Sequence, residues 1–223
     1  MRRSRLAAAV VVAGLVLGGC GGVNPGAAAT VDGVTIPLSE VDAMARAFCA
    51  ADIASAKLQD QPPTPRDTAE YRNRVLETLV NAELASQAVD DLDIDVPASA
   101  AESDLTQFEE LFAMMSDDET SALTDYIGVF SRLDASTRAI GRERGGQEAA
   151  ADPEAAIAAG QEYLDERAAA ADIELDPRFG TPDDGQIVGG SGSLSVPADD
   201  EDAAGASTAG GTDADAPASQ VCS

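Results

Sequence analysis

The chain has 223 residues, with 14 Lys+Arg against 40 Asp+Glu, a formal net charge of −26, no histidine and no tryptophan. The lack of histidine excludes histidine-based acid/base catalysis and histidine metal sites. The acidic surface repels nucleic acid and anionic headgroups; it favours cationic or neutral partners, or serves solubility alone.

Residues 1–19 read as an export signal: Arg2, Arg3 and Arg5 precede the apolar run Leu6 to Leu17, and no acid interrupts it. A run of this length is too short to span a bilayer comfortably. Leu17-Gly18-Gly19-Cys20 resembles the lipobox of bacterial lipoproteins, which implies acylation at Cys20, attachment to the lipid bilayer there, and a location on the extracytoplasmic face of the cell membrane. Loss of the three arginines with the signal would deepen the charge to −29, with 11 basic against 40 acidic residues. Residues 20–29 are rich in Gly, Ala, Pro and Asn and are expected to form a tether, extensible to about 30 Å.

Thr30-Val31-Asp32-Gly33-Val34-Thr35-Ile36 places β-branched residues on both sides of an Asp-Gly pair, the pattern of two short strands and a tight turn. Ser39 is the expected cap of a helix bearing Val41, Met44, Phe48 and Ile53 and ending near Asp60. Thr64-Pro65-Arg66-Asp67 predicts a second helix start, with Thr64 as cap and Pro65 in the first turn. That helix carries two adjacent apolar stripes, Tyr71, Val75, Leu79 and Ala82 beside Leu76, Val80 and Leu84, so it should be deeply buried.

After a break at residues 91–97, Leu105, Phe108, Leu111, Phe112 and Met115 suggest a further helical face. Ser116-Asp117-Asp118-Glu119 has capping-box spacing before Leu123, Tyr126, Ile127, Phe130, Leu133 and Ile140. Gly145-Gly146 interrupts, an Ala-rich helix is predicted from about Pro153 to Ala170, and Ile173-Glu174-Leu175 alternates like a short strand. Residues 181–223 are dominated by small and acidic residues and are read as a disordered tail, with its last apolar pair, Val221-Cys222, as the exception. The fold expected for residues 30–180 is therefore mainly α with a minor β element.

Asp91, Asp93, Asp95 and Glu102 match positions 1, 3, 5 and 12 of a calcium loop, but Val96 stands where that loop needs glycine, and Pro97 follows. Leu92, Ile94 and Val96 fit better as one apolar face of an extended link, so neither a metal nor a cofactor is expected. Gly190-Ser191-Gly192-Ser193 lacks a base to activate a serine, and Glu109 and Glu110 point to different parts of a helix surface; no catalytic residues are assigned. Cys49 and Cys222 can pair outside the cytoplasm, or Cys49 can be a small buried apolar residue and Cys222 a free thiol.

The ordered set of segments resembles the N-terminal domain of SurA- and PrsA-type extracytoplasmic foldases over roughly residues 28–180. Ala29 to Ile36 is similar to the family's opening "A-x-V-N/D-G-x-x-I", Leu79-Val80-Asn81-Ala82-Glu83-Leu84-Ala85-Ser86-Gln87-Ala88 to its "L-I-x-x-x-L-L-x-Q-x-A" helix, and Leu92 to Val96 to the link that follows. Asp176-Pro177-Arg178-Phe179-Gly180 resembles a closing segment of related lipoproteins. The parvulin-type isomerase domain that commonly follows has no counterpart in this pattern, so the resemblance implies a non-catalytic, chaperone-like protein that binds unfolded or envelope clients. The alternatives are an assembly lipoprotein holding one envelope partner and a divergent prolyl isomerase. Candidate client contacts are Met44, Phe48, Phe108, Phe112, Met114, Met115 and Phe130, because Met and Phe make adaptable apolar surfaces; core packing is the competing reading for each.

Overall fold

The computed structural model describes residues 25–183, 186–189 and 221–222. Strands β1 (Ala27–Val31) and β2 (Val34–Pro37) form an antiparallel hairpin in which Val31 pairs with Val34. Asp32 and Gly33 turn it with φ of 48° and 85°, values that Asp tolerates and Gly adopts at no steric cost. Ala27, Ala28 and Ala29 are buried within β1, so the tether expected over residues 20–29 does not extend through them. Their small side chains let the hairpin lie close against the helices.

Helix α1 (Leu38–Leu58) follows the hairpin directly and has Pro37 at its cap position. Ser39 is not the cap. The Leu38 N–H donates to the Gly26 carbonyl at 2.8 Å, which starts the helix one residue before Ser39 and leaves that serine within the first turn. Strand β3 (Arg66–Asp67) precedes helix α2 (Thr68–Asp91). The cap of α2 is Asp67 rather than Thr64: its carboxylate accepts the Ala69 N–H at 2.8 Å, while Arg66 and Asp67 pair with a strand from the end of the chain. The start signal was real but lay three residues further on.

The segment expected to be one helix around Leu105–Met115 is broken into a 3-10 turn at Thr106–Phe108 and a single α-helical turn, α3 (Glu109–Phe112). Helix α4 (Asp117–Arg144) opens with the complete Ser116/Glu119 capping box. Helices α5 (Gly146–Ala151) and α6 (Pro153–Ala170) follow, with Asp152 capping α6 and Pro153 in its first turn. Strand β4 (Ile173–Leu175) pairs antiparallel with β1, giving a sheet of order β2-β1-β4.

Two antiparallel pairs complete the described structure. Strands β5 (Gly180–Asp183) and β6 (Gln186–Gly189) form a hairpin, and β7 (Val221–Cys222) pairs with β3. Strands β5 and β6 correct the reading of their part of residues 181–220 as without order, whereas β7 falls on the Val221-Cys222 pair that was expected as the exception. The remainder of that reading, over residues 190–220, lies outside the described residues, as does the signal reading of residues 1–19.

The main core gathers Val31 and Ile36 of the hairpin, Val41 and Met44 of α1, Val75, Leu76, Leu79, Val80 and Leu84 of α2, and Phe179. Five residues of the two stripes read along α2 thus lie in the main core, while Tyr71 packs in a separate small cluster and Ala82 is half-buried. Full burial of a side chain such as Leu76 or Leu84 contributes roughly 1.5–3 kcal/mol. A second core joins Ala85, Ala88 and Val89 of α2 to Ile140 of α4 and Leu164 of α6, with Leu92, Ile94 and Val96 packed against it. Those three residues form the apolar face of an extended link, and Asp91 pairs with Arg167 of α6 at 2.8 Å.

Candidate functional site

Two open grooves flank α4, and Leu133 lies in the wall of both. The first, of about 270 Å³, runs between β2, α2 and α4; Ile36, Leu79, Val129 and Leu133 supply its apolar lining, and Glu40, Glu83 and Arg132 are its charged groups. The second, of about 330 Å³, lies between α4 and α6, where Phe130, Leu133, Ile157 and Leu164 meet Asp134 and Asp165. Each mixes an apolar lining with acidic groups, as a site for an amphipathic segment requires.

Helical period explains why these residues converge. Leu79, Ala82, Glu83 and Ser86 fall on one face of α2, and Val129, Arg132, Leu133 and Ser136 on one face of α4. Burial first, then the charge of Asp125, raises the Glu40 carboxyl pKa above its usual range. Arg132 makes no ion pair with any described residue, whereas Asp134 is tied to Arg138 one turn along α4.

The structure sorts the seven sequence candidates into three groups. Met44 is only 4% exposed and belongs to the main core, which removes it from any surface role. Phe48 is half-buried, its ring stacked on Tyr71 at 6.0 Å and edge-on to Tyr126 at 4.7 Å, so much of its apolar surface packs inside the protein. Phe108 and Phe112 lie against each other at 5.9 Å in the broken segment before α4, with Met115 half-buried nearby in sequence and Met114 exposed. None of these four lines either groove. Phe130 does, and it is 54% exposed.

Sequence reasoning missed Val34, Thr35, Glu40 and Glu83 as groove residues. The only local signal was Val34, a β-branched residue on the outer face of the hairpin. Cys49 and Cys222 are joined by a disulfide with a Cα–Cα distance of 5.4 Å, and Cys222 lies in a small apolar cluster with Ala45 and Tyr71. The Tyr71 hydroxyl donates to Asp52; burial first, then that bond, raises its pKa. Cys20 lies outside the described residues. Among those residues no group of three or more acids and cysteines is placed to hold a metal ion, and no helix is long and apolar enough to cross a membrane.

The family model of the SurA-like N-terminal domain matches residues 4–119. The chain belongs to this family. No curated protein and no solved structure matches it. SurA-like N-terminal domains occur in chaperone-like periplasmic proteins and in general bind protein clients. The matched segment contributes the hairpin, α1, α2 and α3, while most of α4 and all of α6, which wall the grooves, lie beyond it.

Proposed function

We propose that this SurA-like chain is a non-catalytic, chaperone-like module, anchored by an acylated Cys20 on the extracytoplasmic face of the cell membrane, that holds apolar segments of unfolded or envelope proteins in the grooves beside α4. The observation that carries this reading is Phe130. A large aromatic ring left 54% exposed at the edge of a 330 Å³ groove lined by Leu133, Ile157 and Leu164 is unfavourable for an isolated protein. A client covering half of such a ring would gain roughly 1 kcal/mol from area burial alone.

The acylated cysteine would keep the module at the membrane, where segments emerge before folding. Two acyl chains make that attachment long-lived. The acidic surface keeps the module itself soluble and away from anionic headgroups.

The deciding experiment uses the chain from Cys20 onward, with Cys20→Ser to prevent acylation, and aggregation of several unrelated unfolded proteins followed by light scattering. Suppression near stoichiometric ratio, weakened by Phe130→Ser, is the expected result. Failure to suppress any of them would overturn the reading, and crosslinking that enriches one folded partner would replace it with an assembly role. Anchoring is tested separately: labelled palmitate should enter the full chain in cells and be absent from Cys20→Ala.

A further inference from the structure

Strand β2 is an edge of its sheet, whose order is β2-β1-β4. Because Asp32-Gly33 is a two-residue turn, the Val31–Val34 pair closes the hairpin with hydrogen bonds, and antiparallel alternation repeats this at Ala29–Ile36. The backbone N–H and C=O of Val34 and Ile36 therefore face β1, and those of Thr35 face away from it. Thr35 is exposed, Val34 is 44% exposed, and both border the first groove. An edge of this kind is a template for a further strand, and here it lies beside a ready pocket for a side chain.

The charge around that pocket is one-sided. Glu40 and Glu83 border it with Asp125 acting on Glu40, Arg132 is the sole cation in its lining, and the whole chain carries −26. Its apolar floor is Ile36, Leu79 and Leu133. Alternate residues of a strand project to the same side roughly 7 Å apart, within reach of a lysine or arginine side chain on either side of an apolar residue.

We propose that the β2 edge and its adjoining groove take an extended polypeptide segment in which an apolar residue is flanked by basic ones, added to the sheet as a fourth strand along Thr35. This rests on the client-holding reading above and names the client's chemistry. Main-chain hydrogen bonds at Thr35 supply register, the apolar side chain fills the groove, and the flanking cations meet Glu40 and Glu83.

The test is fluorescence anisotropy with the chain from Cys20 onward (Cys20→Ser) and a series of short labelled peptides sharing one central leucine or phenylalanine. The Lys-flanked peptide should bind about tenfold more tightly than the Glu-flanked one at low salt, with the difference shrinking as salt rises. N-methylation of the backbone amides that would face Thr35 should weaken it about tenfold again. In Glu40→Gln/Glu83→Gln the preference for lysine should vanish while the neutral peptide binds as before.

Equal affinity for all flanking charges, or indifference to N-methylation, overturns the proposal. The peptide series on the unaltered acidic residues decides the matter even where the double variant folds poorly. If aggregation suppression persists while the peptide preferences are absent, only this proposal falls; if both are absent, the client-holding reading falls with it.

Discussion

Gly141 of α4 and Gly160 of α6 meet backbone to backbone: a Cβ on Gly141 would lie 2.8 Å from the Gly160 amide nitrogen and would overlap the Ala156 carbonyl. A Cβ on Gly160 would in turn collide with the Thr137 carbonyl of α4. The two glycines let α6 seat against α4 at a distance no side chain permits, and that seating forms the second groove.

Gly141→Ala or Gly160→Ala should therefore destabilise the fold by about 1–3 kcal/mol through overpacking, although alanine is the better helix former by roughly 1 kcal/mol. Denaturant unfolding measures this directly. A midpoint equal to or above that of the parent would mean the helices can part without loss.

Phe130 and Met44 should separate function from stability. Met44→Ala removes a side chain from the main core and should cost about 2–5 kcal/mol. Phe130→Ala, at an exposed position, should change stability by less than about 0.5 kcal/mol while reducing client holding. Thermal unfolding run beside the aggregation assay reads both, and a large loss of stability in Phe130→Ala would place that ring in the core instead.

The Cys49–Cys222 bridge closes a loop across 173 residues and fixes β7 on β3. Reduction, or Cys49→Ala/Cys222→Ala, should cost about 2–5 kcal/mol and remove the slow amide exchange of the β3–β7 pair. Hydrogen exchange with and without reductant is the measurement. Unchanged protection at Arg66 and Asp67 after reduction would show that the two-residue pairing holds unaided.

Glu40 gives stability a defined pH response. Its folded pKa is raised, by burial first and by Asp125 second, so the folded state binds its proton more tightly than the unfolded chain does. Its contribution is then most favourable below the unfolded value near 4.5 and is lost as pH rises through the raised folded value. Glu40→Gln should flatten that part of the pH–stability curve and leave the variant relatively more stable at neutral pH. An unaltered curve would mean that Glu40 ionises as freely in the folded protein as in the unfolded one.

Local signals in the sequence were legible where the deciding interactions are themselves local. The Asp32-Gly33 turn, the Ser116/Glu119 capping box and Pro153 at the start of α6 each involve residues a few positions apart, and each stands where the pattern placed it. Ser39 and Thr64 misled because a cap competes with its surroundings: the Gly26 carbonyl took the first amide of α1, and pairing with β7 moved the start of α2 to Thr68. The face read from Leu105 to Met115 broke up because periodicity states which side chains align, not whether enough of them find an apolar neighbour to offset the entropy of ordering a helix.

By itself, the sequence determined a mainly helical, acidic body opened by a short hairpin, because turn chemistry, capping and helical period act within a few residues of chain. Which apolar side chains would be spared from the interior was decided only by the tertiary structure. Met44 and Phe130 look alike along their helices, yet one faces α2 and the hairpin while the other opens on a groove between α4 and α6. The physical reason is that burial is set by what lies opposite a side chain, and its neighbours opposite come from distant parts of the chain.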